Sequence, residues 1–341
     1  MRRRGATLLT GTVLLIVLIA LAWQVRVPYV ELGPGPTWDT LGKDSGKDVI
    51  QISGTPTSKS AGQLRMVTVG VTPDISLWEA IRGWLSGDDA VVPREVIYPP
   101  DQTQQQVDQA NQQDFKNSQS SAETAALREL GYPVQVVVSK VVAGLPAVGH
   151  LQAGDVVTSV DGKPVTSSQN LVDQVRAQKP GAILTIGYTR GGVPGTTSIT
   201  SDKADDGTAR IGIQLDQRQP HPFKITITLN DVGGPSAGLM FSLGIIDKVK
   251  PEDLTGGEHI AGTGTIDDDG HVGPIGGIAQ KLRAAKRDSA TIFLVPSDNC
   301  PEAVANAVPG LEMVKVGTLD EALSALQTLR SGGTPTLCPA H

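Results

Sequence analysis

A chain of 341 residues can hold two or three domains, and a hydrophobic fraction of 39% supports at least one sizeable core. A net charge of −6 argues against a nucleic-acid binder, whose footprint is basic. Two cysteines, Cys300 and Cys338, with no CxxC pattern, rule out a disulfide scaffold and a cysteine metal site; they either pair in an oxidising compartment or remain two thiols.

At the N-terminus, Arg2, Arg3 and Arg4 precede an apolar run from Ala6 to Trp23, interrupted only by threonine and glycine. Roughly eighteen apolar residues reach the lower end of a membrane-spanning length. The arginines stay in the cytoplasm, so everything after Gln24 is expected outside. Ala20-Leu21-Ala22 matches a cleavage-site pattern, which makes a signal peptide the alternative; the length of the run favours an uncleaved anchor. Both place the body outside the cytoplasm, where ATP is absent, and no GxxxxGK[ST] loop occurs.

The stretch from Val27 to Trp38 is rich in Pro and Gly and reads as a stiff connector. Val49–Ile52 and Leu64–Val69 alternate as strands, and Leu77–Leu85 has helical spacing with Trp78, Ile81 and Leu85 on one side. Residues 101–123 are dominated by Gln, Asn, Ser and Asp and are either a solvated helix or a mobile lid; apolar helical spacing follows to Leu130. From Gly131 to Thr200 the chain is a compact β-rich module, with strands at Val134–Val138, Asp155–Val160 and Ile183–Thr189 and a helix over Asn170–Gln178. A polar break at 202–207 suggests a boundary.

In the last module Phe223–Leu229 alternates as a strand, and Pro235–Val249 is apolar nearly all round, the pattern of a buried helix. Gly262–Ile266 and His271–Pro274 flank the turn Asp267-Asp268-Asp269-Gly270 as a hairpin. Helices are expected over Ile278–Arg287 and Leu319–Thr328, and a strand over Thr291–Val295. The mixture is α+β.

Two features carry chemistry. Gly233-Gly234-Pro235-Ser236 sets a hydroxyl at a helix start, where unpaired backbone N–H groups and the helix dipole favour negative charge. An oxyanion could be held there by Gly233, Gly234 and Ser236. The competing reading is a proline-started helix with a small packing residue. In the second, Ile278, Lys281, Leu282 and Ala285 share one helix face, the apolar one, while Arg283, Lys286 and Arg287 point mainly elsewhere. Burial lowers a lysine pKa toward the range of a general base; the alternative is a lysine snorkelling at the edge of the core. A histidine base, His259 or His271, is the rival enzyme reading, and a metal at Asp267–Asp269 with His271 is disfavoured against a solvated turn.

The blocks Gly234–Gly238, Ile260–Gly264 and Pro274–Leu282, with Lys281 45 positions after Ser236, resemble Lon protease domains over Phe223 to Leu326. The resemblance implies Ser236 as nucleophile, Lys281 as base and Thr263 as the lysine's hydrogen-bond partner. Many Lon sequences carry an acidic residue at the position of Gly233, a departure that bears on the oxyanion hole. Residues 131–200 resemble a PDZ domain of the bacterial protease type through Val142–Ala147, Leu151–Val157 and Val160–Val165. That implies either capture of a peptide C-terminus, with Gly131, Tyr132 and Val134 as the candidate carboxylate loop, or a module that packs on the protease and gates it.

The whole order is similar to the membrane-anchored PDZ-Lon proteins of Gram-positive bacteria, the YlbL type. The implied architecture is an anchor helix at 1–24, a segment at 25–124 that packs with the protease domain, with an edge strand near 62–69, a PDZ domain at 125–201, a Lon-type α/β proteolytic domain at 208–330 and a loose tail at 331–341 unless Cys338 ties it down. The implied function is an ATP-independent serine endopeptidase, needing no cofactor, acting on secreted or membrane polypeptides; the alternative is a peptide-binding adaptor with an unused protease domain. Lon domains often form rings, so homo-oligomerisation is a further expectation.

Overall fold

The computed structural model describes residues 2–229 and 232–339, with side chains from residue 9 onward. Contacts divide the chain into two compact units, Met1–Glu123 with Ile225–His341, and Thr124–Lys224. The second is thus an insertion in the first.

Helix α1 spans Arg2–Gln24. Among the described residues no helix is long and apolar enough to cross a membrane; the segment expected to be an anchor extends beyond the described side chains. The expected connector is instead a strand, β1 (Tyr29–Asp39), paired antiparallel with β2 (Gln63–Thr72) and with β3 (Ala90–Pro93). Its prolines are tolerated because the β1–β2 register breaks between Pro34 and Thr37, where missing N–H groups leave no gap in the ladder. Between β2 and β3 lies α2 (Leu77–Leu85), started by a capping box of Ser76 and Glu79. The polar stretch resolves as a helix, α3 (Gln104–Glu129), which carries the chain from the first unit into the second.

In the second unit, β4 (Gln135–Val141), β5 (Val156–Val160), α4 (Ser168–Arg176), β6 (Ile183–Arg190), β7 (Val193–Thr200) and β8 (Ile213–Arg218) follow in turn. The sheet order is β7-β6-β5-β4-β8. Val138, Val157, Leu171, Leu184, Ile186 and Ile199 fill its core. Asp155, fully buried, is held by a fork of Arg190 at 2.7 and 2.8 Å, which keeps its carboxyl below the usual range. The polar break at 202–207 does not end this unit, because β8 returns to pair with β4.

The chain re-enters the first unit through Lys224–Ile227, next to Ile50–Ser53. Helix α5 (Gly238–Val249) follows and is buried from Gly238 to Asp247, as its uniform apolarity requires. It starts three residues later than its sequence suggests, so Ser236 lies in the loop before it. Then come β9 (His259–Gly262), α6 (Ile278–Arg287), β10 (Ile292–Pro296), β11 (Glu312–Val316) and α7 (Leu319–Arg330). The sheet order is β11-β10-β9-β2-β1-β3. Strand β2 runs parallel to β9, so the segment expected at an edge is an interior strand. Cys300 and Cys338 form a disulfide, with Cα atoms 5.3 Å apart. The tail is pinned to β11 by Lys315 N–H to Thr336 O at 2.9 Å and Cys338 N–H to Met313 O at 3.0 Å.

Candidate active site

Local geometry places Lys281 before any catalytic argument is needed. Gly277 caps α6 in the left-handed region (φ 70°), and a Cβ there would lie 2.6 Å from Val69 Cγ2. From that cap, the 3.6-residue period turns Ile278, Lys281, Leu282 and Ala285 into the core, as the spacing predicts. Lys281 is 3% exposed. Its Nζ donates to Thr263 Oγ1 at 3.1 Å, a neutral acceptor, and no carboxylate pairs with it among the described residues. Burial alone lowers its pKa to about 7.

Thr263, itself fully buried, follows β9. Its hydroxyl donates to the carbonyl oxygen of Ser236 at 3.0 Å while accepting from Lys281. One hydroxyl therefore joins the lysine to the serine loop. The Gly264 N–H donates to the same Ser236 carbonyl at 2.9 Å.

Ser236 and Lys281 both line one open cavity of about 580 Å³. Trp38, Val69, Gly70 and Val71 form one part of its lining; Val232, Gly233, Pro235, Ile275 and Gly276 form others. It combines apolar walls with a hydroxyl and an amine that is substantially neutral near pH 7. The loop before α6 is fixed by Asn299, 6% exposed, which accepts from Ile275 N–H at 2.8 Å and donates to Ile275 O at 2.9 Å. Nothing in the sequence marked Asn299, since its partner lies 24 residues away.

The oxyanion set needs one correction. The Gly234 N–H donates to the carbonyl oxygen of Asn111 on α3 at 2.8 Å, so it is already used. Gly233 and Ser236 remain on the cavity wall. Neither His259 nor His271 lines the cavity; His271 pairs with Asp267 at 2.9 Å on the surface. Among the described residues no group of three or more His, Cys, Asp or Glu is arranged to hold a metal.

In the second unit the proposed carboxylate loop has another task. Gly131, at φ 86°, and Tyr132 donate to the carbonyls of Arg128 and Leu127 and so end α3. Tyr132 stacks edge-on to Phe223 at 5.6 Å, and Val134 packs on the unit's core. An apolar groove of about 310 Å³ lies instead beside α4 and β8, lined by Leu171, Val175, Ile211, Gly212, Ile213 and Leu215. Among the described residues β8 is paired on one side only. Ile211-Gly212-Ile213, with Gly212 at φ 83°, leads into that edge strand.

Two stretches of the chain match known domains, a Lon-type serine protease domain and a PDZ domain. The family model "Lon protease (S16) C-terminal proteolytic domain" matches residues 229–328, and that of the PDZ domain matches residues 107–200. Among characterised relatives, "Lon protease 2" of Bacillus subtilis is 35% identical over 97 residues, 28% of this chain and 17% of that protein. "Lon protease 1" of Sorangium cellulosum is 35% identical over 130 residues, 36% of this chain and 16% of that protein. "Periplasmic pH-dependent serine endoprotease DegQ" of Escherichia coli is 30% identical over 96 residues, 28% of this chain and 21% of that protein. The chain thus spans about a fifth or less of the length of these relatives.

Proposed function

We propose that this chain is a membrane-anchored, ATP-independent serine endopeptidase acting on polypeptides outside the cytoplasm. One observation carries the reading: a buried amine, held by a neutral threonine hydroxyl, opens with Ser236 onto a single cleft. Neutral Lys281 accepts the Ser236 proton as Oγ attacks the scissile carbonyl carbon. Backbone N–H groups of Gly233 and Ser236 face the developing oxyanion. The C–N bond then breaks and Lys281 returns the proton to the leaving amine, giving an acyl-enzyme. Water attacks that ester with Lys281 again as base, releasing the acid and restoring Ser236. Thr263 orients the amine throughout.

The anchor reading is supported by Arg2–Arg4 ahead of the apolar residues of α1, and the outward orientation by the positive-inside rule. The disulfide fits an oxidising compartment. A substrate peptide adding as a strand beside β8, with side chains in the apolar groove, would recruit polypeptides to the enzyme. The purified chain should cleave an unfolded polypeptide such as casein with no nucleotide and with a chelator present. A folded protein that binds peptides but cleaves neither casein nor itself would instead be an adaptor.

A further inference from the structure

Helix α3 is polar enough to read as a solvated rod, yet Phe115, Ser118 and Ala122 are buried, at 5%, 5% and 0% exposure. Their spacing of i, i+3 and i+7 puts them on one face. That face lies against the nucleophile loop and the start of α5. Asn111 O accepts the Gly234 N–H at 2.8 Å, and Ser118 Oγ donates to Pro235 O at 2.9 Å. Phe115 meets Phe241 edge-on at 5.7 Å, and Ala122 O accepts from Ser242 Oγ at 3.1 Å. The fit is close on both sides: a Cβ on Gly233 would lie 3.0 Å from Asn111 Cβ, and one on Gly238 3.0 Å from Ser118 Oγ.

Three consecutive residues are therefore held from two directions. Gly234 and Pro235 are tied to α3, while Ser236 is tied by Thr263 and Gly264. We propose that Ser118, with the Asn111 carbonyl, is a positioning residue for Ser236, so that the proteolytic site is completed by a helix segment outside residues 229–328. This rests on Ser236 being the nucleophile. The physical ground is that a reacting atom displaced by about 1 Å can cost on the order of 10²-fold in rate. Releasing Pro235 leaves the loop held on the Thr263 side and by the Gly234 bond alone. A misplaced hydroxyl lowers turnover without altering the cleft that binds substrate or the burial that sets the Lys281 pKa.

The test measures Ser118→Ala in the full chain, with kcat normalised to active sites titrated by a serine-directed fluorophosphonate. The expected result is a kcat lower by about 10-fold, with KM within about twofold and an unmoved pH midpoint. A structural role alone would lower the titrated fraction and leave kcat per titrated site unchanged, and that result overturns the proposal. Ser118→Cys, nearly the same size but with only a weak donor for the Pro235 carbonyl, should give the same kcat-only loss and decides the matter where Ser118→Ala melts below the assay temperature. Should Ser236→Ala cleave at the wild-type rate, the nucleophile reading itself falls. Should Ser236→Ala be inert while both other variants keep full kcat, only the positioning role falls.

Discussion

Replacing Lys281 by methionine is expected to cut peptide-bond hydrolysis by about 10²–10⁴-fold, the contribution of a general base, while raising the melting temperature by several degrees. Methionine matches the length of the stem and fits the face shared with Ile278 and Leu282. The gain in stability arises because the native state holds an amine of pKa about 7, where the unfolded chain has one near 10.5. Between these values the unfolded state binds more protons, so native stability rises with pH. The penalty is complete below pH 7 and gone above 10.5, and at pH 6 it is on the order of 5 kcal/mol. The variant's advantage in melting temperature should therefore be largest at pH 6 and shrink at pH 9. Thr263 keeps its bond to the Ser236 carbonyl and loses only the lysine it accepts from. A variant that is inactive but less stable at pH 6 would show that the lysine is not buried against its charge.

Replacing Ser236 by alanine should lower kcat by on the order of 10⁵–10⁶, the cost of deleting a nucleophile outright. The fold should be untouched, because the bonds that hold this loop use backbone carbonyls of Pro235 and Ser236, which alanine retains. Substrate affinity should stay within a fewfold, making the variant a trap for the polypeptides it no longer cuts. The measurement is turnover beside thermal melting and binding of a labelled peptide. Residual activity above about 1% of wild type, far over what deletion of a nucleophile leaves, would assign the attack to another group.

Much of this site is legible in the sequence, for reasons tied to periodicity. Lys281 stands out because one basic residue in a basic helix falls on the apolar face, a statement that needs no tertiary information. Ser236 is marked by its glycines and proline, although the helix starts at Gly238 and not at Pro235. The role of Thr263 comes from resemblance alone, since nothing local tells a buried threonine bridging two loops from one filling space. Helix α3 is not legible as part of the site. Its contacts use a backbone carbonyl, which has no residue signature, and a serine hydroxyl bonded 117 residues away. The apolar groove beside α4 is hidden in a similar way: the sequence draws attention to the loop before β4, while the strand paired on one side only among the described residues is β8, at the far end of the insertion. Strand β1 is hidden by prolines that a register break accommodates.

The central claim is that Ser236 is activated by an amine kept neutral by burial. The most direct measurement is the rate of covalent labelling of Ser236 by an alkyl fluorophosphonate as a function of pH, with the adduct located by mass spectrometry. The expected result is a single adduct on Ser236 whose rate rises with pH through a midpoint near 7, the value burial gives Lys281, and collapses in Lys281→Met. An unlabelled Ser236, or a midpoint near the free-lysine value of about 10.4, would contradict it.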